Sequence, residues 1–551
     1  MFPEVVTRRS TTASNPAAAA LPPLSVAVQT IGVLTIAMAG ASITSQLVDL
    51  AIADVGGAFS ISADQASWIA CIATMAEVAG ILIAAILARA LSLRVLALSA
   101  AAIFTLCALA SLHAADAGWL LIFRGVQSFC NGIISVLLFV AVMTYLPSGA
   151  QRNVGLAVFV FASTAPSGLA ASVGALFTEN FGWRGLYYFD ISWSFLFLGL
   201  AWVAIRPAPR LMRLSEIDWS GYLVLSVGLA ALIMFLKQGD RFFWLDNPTI
   251  GRAGLLAAIA IPAAILLLLW HRRPLLDLRL LATPTFGWAI VLASFYRFGL
   301  VMSAFVVPQA LTRLQGFRVP EIAQANDWMF WGSCVAIPLA WLWASRTDAR
   351  LPLSLGLAFL AVGAYLCAYL TSDWQAGDFR LPMIAIGLGQ GFFLLPTLFY
   401  ATSHVAPQQG STAAALFNLS RVVGQTFGSA AIGSLITERE KFHSAVLVAG
   451  FNNATPAFTE RFNGLVATFL GASGKPDLAT LQAWQTLIGM ASKEAYVLAF
   501  ADAFVIVSLV MAASAILVLM LPPLRERTEP LTVAASHGVS IKTALTSRRR
   551  S

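Results

Sequence analysis

Long apolar runs separated by short polar segments dominate the chain. Fourteen of these runs come close to or exceed the roughly 20 residues that a helix needs to cross a bilayer. Backbone polar groups cannot remain unpaired in lipid, so each run is predicted to be a helix. The pattern therefore predicts an all-α polytopic membrane protein. The 14 predicted transmembrane spans are residues 28–53, 66–88, 95–112, 118–145, 154–177, 186–205, 219–236, 253–270, 286–311, 326–343, 352–371, 381–403, 412–436 and 495–521.

Charged residues make up only 11% of the 551 residues, whereas soluble globular proteins carry roughly 25%. Lysines and arginines concentrate in the short segments that are cytoplasmic if both termini lie inside. The net charge of +8 suits contact with anionic lipid headgroups and is not typical of nucleic-acid binding here. We therefore predict a multi-pass membrane protein with both termini cytoplasmic and no nucleic-acid partner.

The predicted spans divide the chain into two similar bundles, an inserted pair of helices and two tails. We predict a cytoplasmic N-tail (1–27), an N-terminal six-helix bundle (28–205), a linker with transmembrane helices 7 and 8 (206–285), a C-terminal six-helix bundle (286–521) with an external loop (437–493), and a cytoplasmic basic C-tail (522–551).

A short internal repeat relates the two bundles. Gln390 of span 12 aligns with Gln127 of span 4, and Gly387 stands where Arg124 does. Secondary transporters built from repeats place the substrate near the membrane midplane, between the two halves. Gln127 and Gln390 are therefore predicted to lie in a substrate cavity between the bundles.

Span 4 carries one formal charge, Arg124, with Gln127 on the same helix face. A charged side chain at membrane depth is costly unless it faces a partner or a water-filled cavity. Two interpretations stay open. Arg124 either snorkels to the interface from near the helix end or provides a fixed positive charge in a transport pathway.

Three carboxyl groups are candidates for proton coupling: Glu77 in span 2, Asp49 in span 1 and Asp327 in span 10. Coupling requires an acid that gains and loses a proton near neutral pH under the influence of burial and a nearby cation. Arg124 is the candidate cation. As the alternative, Asp49 and Asp327 lie near external helix ends, where water would solvate them. Asp190, at the start of span 6, is predicted to be interfacial.

Arg297 and Trp328 complete the predicted substrate cavity. Arg297 lies in the middle of span 9, where it is either a paired structural arginine or the receptor of an anionic substrate. Trp328 either lines the cavity or anchors span 10 at the interface.

Several motifs occur in register along residues 28–525, among them Arg124-x-x-Gln127, Asp218-Trp219-Ser220-Gly221 and Asn418-x-x-Arg421-x-x-Gly424. They resemble motifs of the fourteen-helix drug:proton antiporters of the major facilitator superfamily, the EmrB/QacA type. The resemblance implies the major facilitator fold, with two six-helix bundles plus two inserted helices. Residues predicted to serve conformational change and packing are Gly132, Pro166, Gly174, Asn418, Arg421 and Gly424. For Arg421, bracing span 13 is the alternative.

The chain departs from the family pattern at three places. The loop after span 2 lacks the usual glycines and aspartate, Thr44 stands in place of an aspartate in span 1, and Ala170-Ala171 replaces a Gly-Pro pair. The resemblance implies a proton-coupled exporter of hydrophobic or amphipathic small molecules that works by alternating access in the bacterial cytoplasmic (inner) membrane. Because of these departures, a proton-coupled importer of an organic acid or other small anion remains the alternative.

Other classes of function find little support in the sequence. No His-Glu-x-x-His helix, Gly-x-Ser-x-Gly elbow or phosphate loop occurs, and the five cysteines form no metal-ligand pattern. We therefore predict a protein that is not an enzyme, uses no cofactor or metal and takes its energy from the proton gradient. The external loop 437–493 is predicted to be either a lid or a docking surface for a periplasmic adaptor.

Overall fold

The structure is a computed structural model. It describes residues 23–520 except 51, 208–217, 272–273, 345, 347, 404 and 453–455. The predictions for most of the N-tail and nearly all of the C-tail lie outside these residues, and so does the side chain of Asp49.

The described residues are helical over most of their length. The α-helices are α1 (Leu24–Leu50), α2 (Ile52–Ala58), α3 (Ala63–Ala90), α4 (Leu93–Leu112), α5 (Ala117–Tyr145), α6 (Ala150–Gly168), α7 (Ala170–Phe181), α8 (Gly185–Ala204), α9 (Trp219–Gly239), α10 (Pro248–Trp270), α11 (Pro284–Val301), α12 (Val307–Gln315), α13 (Val319–Ala344), α14 (Arg350–Cys367), α15 (Arg380–Thr402), α16 (Gly410–Asn452), α17 (Pro456–Ser473) and α18 (Pro476–Met520).

Each predicted span coincides with one helix or with two consecutive helices. Eleven stretches of the described helices are long and apolar enough to cross a membrane. The protein is thus an all-helical, multi-pass membrane protein, while the count of 14 crossings stays a prediction.

Local sequence sets where several helices begin. Ser62 and Gln65 form a capping box at the start of α3, and the Asp116 side chain accepts a hydrogen bond from the Trp119 N–H at the start of α5. Such side chains satisfy N–H groups that the first helical turn leaves unpaired. Asn247 caps α10 in the same way, with a proline as the first helical residue.

Two predicted spans are interrupted near a proline. The fifth span consists of α6 and α7, which are separated at Leu169 shortly after Pro166. The ninth consists of α11 and α12, joined by a π-helical turn at Met302–Val306 just before Pro308. Proline has no N–H and its ring clashes with the preceding turn, so the regular hydrogen-bond ladder does not continue there.

The described residues of the segment 437–493 are helical except for the turn at Gly474 and Lys475, which corrects its prediction as a loop. Helix α16 continues to Asn452, α17 follows, and α18 begins at Pro476. Gly474, with φ of 65°, makes the turn between α17 and α18. Helices α16 and α18 thus continue well beyond the apolar parts of spans 13 and 14.

The helices pack as two bundles with a third pair at the side. In the N-terminal half α1 packs against α5, α6 and α8, and in the C-terminal half α15 packs against α11, α13 and α14. The inserted helices α9 and α10 pack on each other, and α9 also packs on α3. The halves meet where α13 contacts α6 and α7, and where α16 contacts α3 and α5.

Glycines permit the close crossing of α3 and α5. A Cβ atom at Gly80 would clash with the backbone carbonyl of Phe129, and one at Gly132 would clash with the carbonyl of Glu77. Small residues at such crossings let two membrane helices approach backbone to backbone. Gly132 therefore lies directly against the backbone of α3 at Glu77, which gives its predicted packing role a specific contact.

Candidate functional site

A cavity lies between the two bundles. The space there amounts to about 790 Å³, part of which is open solvent, and its walls come from α1, α5 and α6 on one side and from α11, α13, α15 and α16 on the other. Its polar lining includes Asn131, Arg297, Asn326, Gln390 and Arg421. Two of the four residues predicted for the substrate cavity, Arg297 and Gln390, therefore lie in its wall.

Glu77 and Arg421 form an ion pair that joins the two bundles. The Nη2 atom of Arg421 lies 2.6 Å from Oε1 of Glu77, and both side chains are largely buried. Glu77 is the fifteenth of the 28 residues of α3, and Arg421 lies about 17 Å from the start of α16 at a rise of about 1.5 Å per residue. Both positions are near the middle of a hydrocarbon core about 30 Å thick.

The sequence identified both members of this pair but not their contact. Glu77 was predicted to couple protons, and Arg421 to serve packing and conformational change. Because Arg421 also lines the cavity, the ion pair lies between the cavity and the interface of α3 with α16. The alternative role of Arg421, bracing span 13, stays open, because the ion pair with Glu77 also braces this helix against α3 of the other bundle.

Arg297 lines the cavity without a partner acid. The residue is buried, and within the described part of the chain its guanidinium has no ion pair and no hydrogen bond. It lies 5.2 Å from the ring centroid of Tyr296, which in turn stacks on Phe393. A Cβ atom at Gly424 would lie 3.2 Å from Cβ of Arg297, so this glycine of the span 13 motif packs directly behind the arginine.

Amide groups around the cavity have unused hydrogen-bonding capacity. Oε1 of Gln390, Oδ1 of Asn326 and Oδ1 of Asn131 are buried and lack a partner in the described structure. Buried polar atoms are normally paired, because an unpaired one has lost its hydrogen bonds to water. In this state the three oxygens are covered by protein, so a bound molecule or water reaches them only if the wall rearranges.

Arg124 and Gln127 belong to a separate network inside the N-terminal bundle. Gln127 Nε2 donates to Asp190 Oδ2 over 2.6 Å, and Arg124 Nη1 lies 3.5 Å from the same oxygen. Arg124 also donates to the Thr44 carbonyl, and the Thr44 hydroxyl donates to Asp190 Oδ1 over 2.5 Å. Trp193 Nε1 donates to that hydroxyl. The network links α1, α5 and α8.

Asp190 was predicted to be interfacial, and this prediction is wrong. Asp190 is only 2% exposed, and its carboxylate accepts hydrogen bonds from Thr44 of α1 and Gln127 of α5. Thr44 of α1, at the position where the motif that the sequence resembles has an aspartate, donates a hydrogen bond to this carboxylate of α8. The signal available in the sequence was the loss of an acid in span 1 together with an unexplained acid in span 6.

Gln127, in contrast to Gln390, is not part of the cavity wall. The side chains of Gln127 and Arg124 hydrogen-bond to each other within the N-terminal bundle, and neither residue lines the cavity between the halves. The interpretation of Arg124 as a snorkelling residue does not fit a guanidinium that is buried among α1, α5 and α8.

Asp327 and Trp328 lie beside the cavity, on the α13 side of the bundle interface. Asp327 accepts hydrogen bonds of 2.6 and 2.7 Å from the Ser172 hydroxyl of α7, which is a contact between the halves. The ring centroid of Trp328 lies 5.6 Å from the guanidinium carbon of Arg380. The coupling role of Asp327 and the cavity role of Trp328 stay predictions.

The remaining motif residues pack where helices approach closely. A Cβ atom at Gly174 would lie 2.9 Å from Leu47 of α1 and 3.3 Å from Val319 of α13. The Asn418 amide is buried and donates to the carbonyl of Ala414, one turn earlier in α16. These contacts lie near the interface of the two bundles.

An aromatic cluster closes one end of the interface. The ring of Phe417 of α16 lies 6.1 Å from Phe139 of α5 and 6.1 Å from Phe159 of α6, and the last two rings are 5.1 Å apart. Met143 lies close behind Gly410 at the same end. Within the described residues, no group of three or more His, Cys, Asp or Glu side chains forms a metal site.

Two helical bundles with a polar cavity between them are the architecture of the major facilitator fold. Among solved structures, the chain is similar to a bacterial homologue of the human lysosomal transporter Spinster, with a TM-score of 0.52 and 16% identity over 91% of this chain and 97% of the other. It is also similar to a POT family transporter, with a TM-score of 0.57 and 12% identity over 89% and 96%.

Curated relatives narrow the class. The chain is 24% identical to the colistin resistance protein EmrB of Acinetobacter baumannii over 77% of this chain and 83% of the relative. It is 24% identical to the multidrug resistance protein Stp of Mycobacterium tuberculosis, over 75% and 76%, and 22% identical to the multidrug export protein EmrB of Escherichia coli, over 80% and 88%. No family model matches.

These similarities agree with the predicted fold and with the predicted resemblance to drug transporters. The fold is that of the major facilitator superfamily, and the sequence resembles its EmrB-type drug transporters. The relatives and the apolar helices together indicate a multi-pass protein of the inner membrane.

Proposed function

We propose that the protein is a proton-coupled exporter of hydrophobic or amphipathic small molecules that works by alternating access. One observation supports this most strongly: the ion pair of Glu77 with Arg421 joins the two bundles beside a central cavity at membrane depth. The names of relatives, which are multidrug resistance and export proteins, support the same function. They favour export over the import of an organic acid.

The coupling mechanism follows from the charge of the pair. With Glu77 ionised, the pair holds α3 and α16 together. Protonation of Glu77 removes the attraction and leaves Arg421 as an unpaired cation at the cavity wall, which is costly at membrane depth. A proton therefore changes the relative energies of the two access states, and a substrate that binds one state better changes the same equilibrium.

The cavity and the aromatic cluster suggest which access state the structure represents. With both termini cytoplasmic, as proposed, the cluster of Phe139, Phe159 and Phe417 closes the cytoplasmic side. The cavity wall extends in the opposite direction, towards Leu50 and Ser303. In this state Glu77 would receive its proton from the external side. The protein, from which substrate has left, would then change to the state that opens to the cytoplasm.

The proposal includes a partner and an energy source. The proton gradient supplies the energy, with no organic cofactor and no metal, and transport rather than catalysis is the activity. The helical segment 437–493, which extends α16 and α18 beyond their apolar parts, is proposed as the docking surface for a periplasmic adaptor. Recovery of an adaptor with the full-length protein but not with a variant shortened at this segment tests the partner.

Substrate-dependent proton movement tests the proposed function. The wild-type protein is reconstituted into proteoliposomes with an acidic lumen. Addition of a substrate outside should then make protons leave the lumen in exchange for the substrate. Glu77→Gln should lose this exchange, because an amide keeps the shape of the side chain but cannot exchange a proton. The measurement is the fluorescence of a pH-sensitive dye trapped in the lumen.

Asp64→Asn is the matched control for this test. Asp64 lies on the same helix and also pairs with an arginine, Arg241, but both side chains are well exposed. The control should retain exchange, since exposed ion pairs contribute little. Undiminished exchange in Glu77→Gln would contradict the assignment of Glu77, and absence of any substrate-driven proton movement in the wild type would contradict the proposed function.

A further inference from the structure

The guanidinium of Arg297 is a buried positive charge without a counter-ion in the described structure. It is 6% exposed, lines the cavity and lies near the middle of the predicted ninth span, residues 286–311. Its neighbour Tyr296 is a neutral phenol whose ring lies 5.2 Å away. Ionised groups at membrane depth are costly unless they are paired or face a water-filled cavity, so Arg297 points to a function inside this cavity.

The second arginine of the cavity does not need a mobile partner. Arg421 already has its counter-ion in Glu77, at 2.6 Å. The three groups together, two guanidiniums and one carboxylate, carry one net positive charge. A single negative charge on a bound molecule would complete this balance.

The geometry around Arg297 holds its side chain at the cavity wall. The ring of the neighbouring Tyr296 stacks on Phe393 with centroids 4.8 Å apart. A Cβ atom at Gly424 would lie only 3.2 Å from Cβ of Arg297, so α11 and α16 pack closely at the base of the arginine side chain. The Arg297 guanidinium presents several N–H groups in one plane. Such a group binds a carboxylate through two parallel hydrogen bonds.

The rest of the wall fits an organic body with polar substituents. The partly exposed amides of Gln46 and Gln425 also line this space and can bond to N–H, O–H or C=O groups of a ligand. Met38, Leu300 and Met329 add apolar surface to the same cavity. Inorganic ions would leave this apolar surface unused.

From this geometry we infer that the substrates are amphipathic organic monoanions, whose acidic group binds Arg297 while the apolar body occupies the space between the bundles. The inference rests on the proposed function, because it names the substrate class of the same cavity. It also separates two roles: Arg297 recognises the anion, and the Glu77–Arg421 pair responds to the proton.

Binding of three compounds of equal shape tests the inference. The probes are 2-naphthoate, its neutral methyl ester and the cation 2-naphthylmethylammonium, and their binding to the purified protein in nanodiscs is measured by isothermal titration calorimetry. The wild type should bind the carboxylate about 10- to 100-fold more tightly than the ester, because hydrogen bonds to a charged group contribute that much. Equal affinity for the carboxylate and the ester, or preference for the cation, would overturn the inference.

Variants assign the preference to Arg297. Arg297→Gln should remove the difference between carboxylate and ester, while Arg297→Lys should keep part of it, because lysine retains the charge but not the two-pronged geometry. Arg252→Gln is the matched control, since Arg252 is an exposed arginine of the inserted helix α10. A full preference for the carboxylate in Arg297→Gln would overturn the assignment.

Proton exchange distinguishes failure of this inference from failure of the proposed function. The lumenal dye assay is run with all three probes as substrates. Exchange driven only by the ester or the cation would overturn the anionic substrate class and leave proton-coupled export intact. Carboxylate binding that depends on Arg297 but drives no proton exchange would support the binding site and contradict the proposed transport.

Discussion

At the scale of single residues, the scarcity of charge made the ionisable groups of the spans easy to recognise. Glu77, Arg297 and Arg421 were identified from sequence as candidates because each interrupts an apolar run. Their partners were not predictable. Glu77 and Arg421 are 344 residues apart in sequence, and only the packing of α3 on α16 brings them into contact. Asp190 was misassigned for the same reason.

The network around Asp190 predicts a strong coupling between two substitutions. Asp190→Asn should destabilise the protein by about 3 kcal/mol, because it leaves Arg124 buried without its counter-ion. Arg124→Gln in the Asp190→Asn background should restore part of the loss, since no uncompensated charge then remains. Thermal unfolding in detergent, followed by intrinsic tryptophan fluorescence, measures both effects. Additive losses would show that the two side chains do not interact.

At the scale of helices, the apolar runs predicted where most membrane helices lie. The predictions failed where polarity and secondary structure diverge: residues 437–493 are polar enough to resemble a loop, yet α16, α17 and α18 occupy most of them. An ion pair supports this extension, because Arg439 Nε of α16 lies 2.6 Å from Asp502 Oδ2 of α18, and His443 Nε2 lies 2.8 Å from the same oxygen. Hydropathy carries no information about such contacts.

Helix packing predicts that Gly132 tolerates no side chain. Gly132→Val should lower the stability by about 1–3 kcal/mol and reduce transport, because its Cβ would clash with the Glu77 carbonyl and push α5 away from α3. Gly32→Ala on α1 is the control, since a Cβ atom there meets no neighbour within 4 Å. Thermal unfolding and the proton exchange assay provide the two readouts. Equal stability of both variants and the wild type would contradict the described crossing.

At the scale of the whole molecule, the two-bundle arrangement followed from the repeat and the motifs, whereas the asymmetry between the halves did not. Gln127 and Gln390 align in the repeat, yet Gln127 is held by Asp190 within its bundle and Gln390 faces the cavity. The bundles therefore have different tasks in the proposed cycle. The N-terminal half is braced internally, and the C-terminal half contributes both arginines of the cavity wall, Arg297 and Arg421.

The central claim is that protonation of Glu77 controls which side of the membrane the cavity faces. Double electron–electron resonance between spin labels at Gln151 and Gln408, on a variant without native cysteines, reports the opening of the end closed by Phe139, Phe159 and Phe417. Lowering the pH should shift the wild type towards the longer distance. Glu77→Gln should show the longer distance at every pH, whereas a pH-dependent shift that persists in Glu77→Gln would contradict the account.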